Sequence, residues 1–291
     1  MENEAVIKPV VTSLNHENSA QTVKDKSASI SLKARNALNI VIDRLTGLLL
    51  PMTILVVWET VAHLHLVKPV FLPAPSLIFK TFINLIRTDS FLEDIWFSVH
   101  TVIRGFAWGL VFGLPFGTAA GMSKTFEKIF GPLLNAIRQV PPLAFLPLIV
   151  LWFGIGDIGK MVVIAKAVFF PVFLNTLQGI RTVNREYVEV ARVYEFSRYQ
   201  LIRRVIFPGA LPSIFVGIRF GAGLAWVMIV AAEMLSGRKG VGYILTRGQD
   251  LLQTDEVFVV IFLIGMIGFV IDKLLRDTEG HLIKWKKSFV T

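Results

Sequence analysis

Six stretches of this chain run far enough without sustained charge to cross a bilayer, and no other property constrains its fold as tightly. They lie near residues 46–66, 97–121, 133–153, 160–180, 213–235 and 257–275, and each approaches the roughly 20 apolar residues that a helical crossing requires. Inside hydrocarbon every backbone N–H and C=O must be satisfied within the protein, so segments of this length are helices. The fold expected is all-α: a polytopic membrane protein of about six transmembrane helices. A hydrophobic content of 54% excludes an ordinary soluble domain.

The net charge of +9 is read through the same frame. Lys and Arg cluster in the N-terminal region (Lys24, Lys26, Lys33, Arg35, Arg44), at Lys124 and Lys128, from Arg181 to Arg204, and beyond Lys273. If the spans alternate, all four clusters fall on one side. That side is expected to be the cytoplasm, with both termini there. The last outer loop carries Arg238, Lys239 and Arg247 but also Asp250, Asp255 and Glu256, a weaker signal. The basic excess thus sets orientation, and no nucleic-acid partner is expected. Residues 1–34 are Ser-, Asn- and Lys-rich behind an acidic start; a disordered cytoplasmic tail is expected there, with no cleaved signal peptide. Residues 35–291 are expected to form the membrane domain.

Between the first two spans, Pro73 and Pro75 precede a short amphipathic stretch, expected to be an interfacial helix. Gly105, Gly109, Gly113, Gly117 and Gly121 recur every four residues in the second span. On a helix they make one groove that admits a neighbouring backbone; Gly217 and Gly221 repeat this on a smaller scale in the fifth span. Pro115, Pro141, Pro142, Pro147 and Pro171 lie in or at the ends of spans, where they kink or start helices.

One charged segment interrupts the apolar pattern: EVARVYEFSRYQLIRRVIFPGALP, Glu189 to Pro212. Arg185 to Tyr194 reads as a short helix. Ser197 with Gln200 three places on has the spacing of a capping box, and Leu201, Ile202, Val205 and Ile206 then form an apolar stripe on a basic helix. Pro208 and Pro212 are expected to stop that helix. The whole segment, 184–212, is expected to lie at the membrane surface as helix, turn, helix, a shape suited to docking.

The chemistry-bearing motifs are few. Gly154 to Lys160 nearly spells a phosphate-binding loop, but Met161 stands where Ser or Thr holds magnesium, so it reads as a tight turn. There is no GxSxG, no HExxH and no cysteine. His63 and His65 form only a lone HxH pair, and no metal site is expected. The chain is not read as an enzyme.

The pattern Glu189, Ala191, Pro208 and Pro212 resembles the cytoplasmic loop by which inner-membrane subunits of bacterial ATP-binding-cassette importers engage their ATPase. RQVPPLAFLPLIVLWFGIGD (138–157) and FPGALPSIFVGIRF (207–220) extend the resemblance, which runs from about Leu48 to Lys284. Within that family the sequence is similar to the aliphatic sulfonate, nitrate and taurine branch, nearest the sulfonate permeases. The resemblance implies a type I importer transmembrane domain in the bacterial inner membrane. It implies two ATPase subunits that hold ATP and Mg, an extracytoplasmic substrate-binding protein, and a second permease subunit, expected to be a copy of this chain. ATPase coupling would fall on Glu189, Ala191, Glu195, Ser197, Arg203 and Pro208. The family usually has Gly where this chain has Glu195, and a non-glycine residue in a left-handed turn costs about 1–2 kcal/mol.

A small oxyanion needs cationic or amide donors on its way through. Ionisable and amide residues inside the expected spans are therefore pathway candidates: Arg104, Arg138, Lys166, Asn175, Gln178 and Arg219, with Lys166 deepest by position. His100 and Arg104 are expected near the outer end of span two, Arg138 and Gln139 at the start of span three, and Arg219 and Glu233 bracket span five. Aliphatic sulfonates are the expected cargo; nitrate, bicarbonate and taurine are alternatives within one architecture. A secondary transporter or channel, which needs no ATPase, is the rival class.

Overall fold

A computed structural model of the chain describes residues 46, 49–154, 156–236 and 238–283; the expected tail, 1–34, lies outside them. The chain divides into two units at Lys68 and Pro69. In the first, helix α1 (Leu49–His63) is apolar. Its last turn pairs Glu59 with His63 at 2.9 Å.

The second unit holds α2 (Pro75–Ile86), α3 (Asp89–Met122), α4 (Lys124–Gln139), a 3₁₀ turn (Pro142–Phe145), α5 (Leu146–Phe153), α6 (Asp157–Arg181), α7 (Arg185–Val193), α8 (Arg198–Leu201), a π-helical turn (Ile202–Ile206), α9 (Phe207–Ser236), α10 (Val241–Asp250) and α11 (Thr254–Leu282). The described residues contain helices and turns and no strand. Among the described residues, the stretches at 97–121, 160–180, 213–235 and 257–275 are helical throughout, and those at 46–66 and 133–153 are helical in part. Three helices, Asp89–Met122, Arg198–Leu235 and Thr254–Leu282, are long and apolar enough to span a membrane, and a fourth span arises if α4 and the Pro142–Phe153 helix count as one.

The stretch expected at 133–153 is broken within itself, at prolines of the kind expected to kink or start helices: its halves are bent by 87°. Pro141 and Pro142 supply the reason. Neither has an N–H to continue the helix, and each pushes the residue before it out of helical geometry: Val140 sits at ψ 119° and Pro141 at ψ 140°. Arg138 and Gln139 consequently end a helix at the bend instead of opening a span.

Helix α6 is the centre of the unit, packed between α3 on one side and α9 on the other. The glycine stripe of α3 faces Ile164, Val168, Val172, Thr176 and Ile180, also spaced by four, along α6. A Cβ added at Gly109 would stand 2.5 Å from Val168 Cβ, and one at any of the other four would meet α6 at 2.7 to 3.0 Å. The stripe is therefore a packing face within the subunit, where small residues let two helices touch along their length. The core around α6 (Val163, Ile164, Val168, Val172, with Ala225, Trp226 and Ile229 of α9) is buried. On the far side, Trp226 Nε1 donates to the Ile264 carbonyl of α11 at 3.0 Å. Helix α2 is the expected short amphipathic element, with Pro75 in its first turn and Thr81 donating to Asp255 of α11 at 2.7 Å.

Candidate functional site: the α7–α8 segment and its helix

Helix α7 starts where Asn184 accepts the Glu186 amide on its side chain. It ends in a left-handed turn. The Phe196 N–H donates to the Ala191 carbonyl (3.0 Å) and the Glu195 N–H to the Arg192 carbonyl (2.9 Å), the paired bonds of a Schellman ending whose left-handed residue is normally glycine. Here that residue is Glu195, at φ 54°. The turn geometry that the sequence departure put in question is present, with the strain held by two backbone bonds. Beyond it, Ser197 accepts the Gln200 amide (3.3 Å) while Gln200 Oε1 accepts the Ser197 amide (2.9 Å), the reciprocal capping box that the sequence predicts.

The expectation that Pro208 and Pro212 stop the second helix is overturned. Residues Arg198–Leu235 form one continuous helix of 38 residues. Pro208 cannot donate to the carbonyl four residues back and would collide with it in an α-helix. The preceding turn widens to π geometry, with the Phe207 N–H bonding to the Ile202 carbonyl, and the chain passes the proline without a break. Pro212 lies inside α9. The apolar run after it favours continuation, because ending the helix there would expose backbone polar groups.

The outer surface of this segment is open. Glu189 is exposed and, among the described residues, forms no ion pair with Arg185 or Arg192. Around it Tyr187 (65% exposed), Val190, Val193 (81%), Tyr194 and Tyr199 present apolar and aromatic surface. Ala191 is the counterpart: only 4% exposed. Arg203 is exposed and donates to the Tyr199 hydroxyl at 3.2 Å.

The six pathway candidates divide into two groups. Lys166, half-buried, donates to the Val140 carbonyl at 2.8 Å, and its ammonium lies 4.1 Å from the centre of the Phe145 ring. It ties α6 to the proline break and is not a free cation. Arg219 is paired with Asp272 (2.9 Å) and Glu279 (3.3 Å) of α11. Asn175 donates to the Pro171 carbonyl at 2.9 Å. Arg104, Arg138 and Gln178, in contrast, are exposed and carry no side-chain hydrogen bond or ion pair among the described residues. Because α3 begins at Asp89, Arg104 stands near the middle of that helix.

A second polar cluster lies at the opposite end of α9. Glu233, noted in the sequence only as a charge at the end of span five, is 1% exposed. The Ser98 hydroxyl of α3 donates to its carboxyl group, 2.7 and 2.9 Å from the two oxygens, and the Gly242 N–H of α10 donates at 2.9 Å. Ser98 in turn accepts the Val241 N–H (2.9 Å), and Asp94 accepts the Gly240 N–H (2.9 Å). Gly240, at φ 110°, allows this approach: a Cβ there would stand 2.2 Å from Glu233 Oε1. Lys160, also buried, lies over the Phe97 ring at 4.7 Å. The partners come from helices far apart in sequence, so only Gly240 and Gly242, closely following Glu233, hinted at the cluster.

Long apolar helices packed around a central one, with an exposed helix–turn–helix joined directly to a helix long and apolar enough to span a membrane, define a polytopic membrane protein of the all-α class. Comparison with known proteins makes the class specific. The family described as binding-protein-dependent transport system inner membrane component matches residues 109–276, and this chain belongs to that family. It is 40% identical over 243 residues to the putative aliphatic sulfonates transport permease protein SsuC of Bacillus subtilis (strain 168), covering 84% of this chain and 88% of the relative. The taurine transport system permease protein TauC of Escherichia coli (strain K12) is 35% identical over 237 residues, with 80% and 86% covered. A chain of an inward-facing MetNI methionine ABC transporter shares the fold, with a TM-score of 0.53 at 18% identity over 64% of this chain and 94% of that one.

Proposed function

We propose that this chain is the membrane-spanning subunit of an ATP-driven importer of aliphatic sulfonates, docked to ATPase subunits through α7 and α8. The exposed face of that segment carries the reading: unpaired Glu189 amid Tyr187, Val190, Val193, Tyr194 and Tyr199, on a helix–turn–helix whose second helix runs directly into a spanning helix. Apolar and aromatic anchors around a charge free to pair suit a protein partner. Family membership supports ATPase partners that bind ATP and Mg, and an extracytoplasmic binding protein that delivers the cargo. In this reading the complex sits in the bacterial inner membrane with both termini cytoplasmic and a second copy of the chain completing the pathway. A sulfonate group is a weakly basic oxyanion with three terminal oxygens on a tetrahedral sulfur, and Arg104, Arg138 and Gln178 are the candidates with donors free to meet it; Lys166, Asn175 and Arg219 are committed elsewhere.

The relatives' names support the cargo, because an aliphatic sulfonate and taurine share the sulfonate group. The test is ATP-dependent uptake of labelled ethanesulfonate by the reconstituted complex, with excess nitrate, bicarbonate and taurine as competitors. Uptake blocked only by sulfonates, taurine included, is the expected result. Uptake abolished by nitrate or bicarbonate would replace the cargo with a small inorganic anion, and uptake without any ATPase would replace the class.

A further inference from the structure

The Glu233 cluster is not explained by packing alone. A buried carboxyl group costs desolvation that a well-packed apolar side chain of similar size avoids, so a buried polar cluster is weak evidence for stability and better evidence for fixed geometry. What it fixes here is specific. Ser98 and Asp94 belong to α3, Glu233 to α9, and the amides of Gly240, Val241 and Gly242 to the start of α10. The cluster therefore clamps α10 onto the end of α9 and braces both against α3. Val241 N–H to Ser98 Oγ and Ser98 O–H to the Glu233 carboxyl form one chain of bonds, so the hydroxyl proton has a single useful direction. At the other end of the same helix, about 50 Å away at 1.5 Å rise per residue, stand α8 and the π turn. No loop intervenes between Arg198 and Leu235.

We propose that Glu233 is a positioning residue of transport: by holding α10 to α9 it makes the outer-end helix and the coupling segment parts of one rigid lever. Docking of the binding protein beside α10 is then transmitted to the ATPase through α9, and nucleotide-driven movement of α8 returns to α10 by the same route. This rests on the importer reading above. It adds the residue that makes the lever rigid at its outer end. Arg247, Gln249 and Asp250 are the exposed residues of α10 and give the lever its outward face.

Two readouts separate this role from simple support of the fold. In the assembled complex with ethanesulfonate-loaded binding protein, Glu233→Gln and Ser98→Ala are expected to keep basal ATPase activity within twofold of the parent and to lower the binding-protein-stimulated increment at least fivefold. Stimulation unchanged in both variants would overturn the proposal, as would basal and stimulated activity falling together. The second readout needs no cargo. The chain has no cysteine, so Gln249→Cys gives each copy of this chain one label site, on α10, read on this subunit after separation from its partners. Its labelling rate is expected to change at least threefold when the ATPase is trapped with vanadate, and Ser98→Ala is expected to abolish that change. A change that persists in Ser98→Ala refutes the clamp even if Glu233→Gln fails to assemble. A parent complex with no ATPase bound, or with no stimulation by binding protein, would instead refute the importer reading.

Discussion

Replacing Glu195 by glycine should strengthen the turn on which the coupling segment depends. Glu195 occupies the left-handed region at φ 54°, which costs an L side chain about 1–2 kcal/mol. Glycine removes that cost but adds backbone freedom to the opened state, worth about 0.5–1 kcal/mol in the other direction. The net gain is about 0.5–1 kcal/mol, or roughly a two- to fivefold shift in the local opening equilibrium at 1.4 kcal/mol per decade. The reporters are the amides that close the turn, Glu195 and Phe196, bonded to the carbonyls of Arg192 and Ala191. Hydrogen exchange reads such local opening directly. In Glu195→Gly both amides should exchange two- to fivefold more slowly, while amides in the middle of α6 keep their parent rates. Glu195→Val, β-branched and worse in this region, should exchange faster than the parent. Faster exchange in the glycine variant would refute the strain argument.

Other outcomes follow from the packing. Gly109→Ala forces a Cβ to within 2.5 Å of Val168 Cβ, an overpacking expected to cost about 1–3 kcal/mol and to lower the thermal midpoint in detergent; Gly265→Ala, with nothing within 4 Å, should leave it unchanged, and equal midpoints for the two would contradict the interlocked α3–α6 face. Lys166→Met removes the donor to Val140 at the proline break. It should lower the maximal rate of sulfonate uptake while leaving KM within twofold, whereas a large rise in KM at unchanged maximal rate would restore Lys166 to the pathway.

How far the sequence carries depends on the range of the interaction involved. The capping box at Ser197 and Gln200, the short amphipathic helix α2 and the glycine stripe are local or periodic patterns, and each is present in the structure. The stripe could be read without its partner because a run of five glycines requires a close neighbour, although nothing in the spacing named α6. Pro208 misled because a proline rule written for α-helices ignores the wider π turn, which lets the chain pass without the missing bond. Pro141 and Pro142 together were too much for that remedy, and there the helix does break. Lys166 and Arg219 were judged by depth in a span, but their roles are set by Val140, Asp272 and Glu279, partners that only the fold brings near. Glu233 was visible as a charge, while Ser98 and Gly242, from two other helices, were not visible as its donors.

The central claim, that α7 and α8 couple this chain to an ATPase through Glu189, is tested most directly by Glu189→Lys in the assembled complex. Glu189 is exposed and unpaired among the described residues, so reversing its charge should leave folding and membrane insertion intact. Substrate-stimulated ATPase activity should fall at least tenfold with the variant subunit inserted at parent levels. Normal stimulation in that variant would contradict the account.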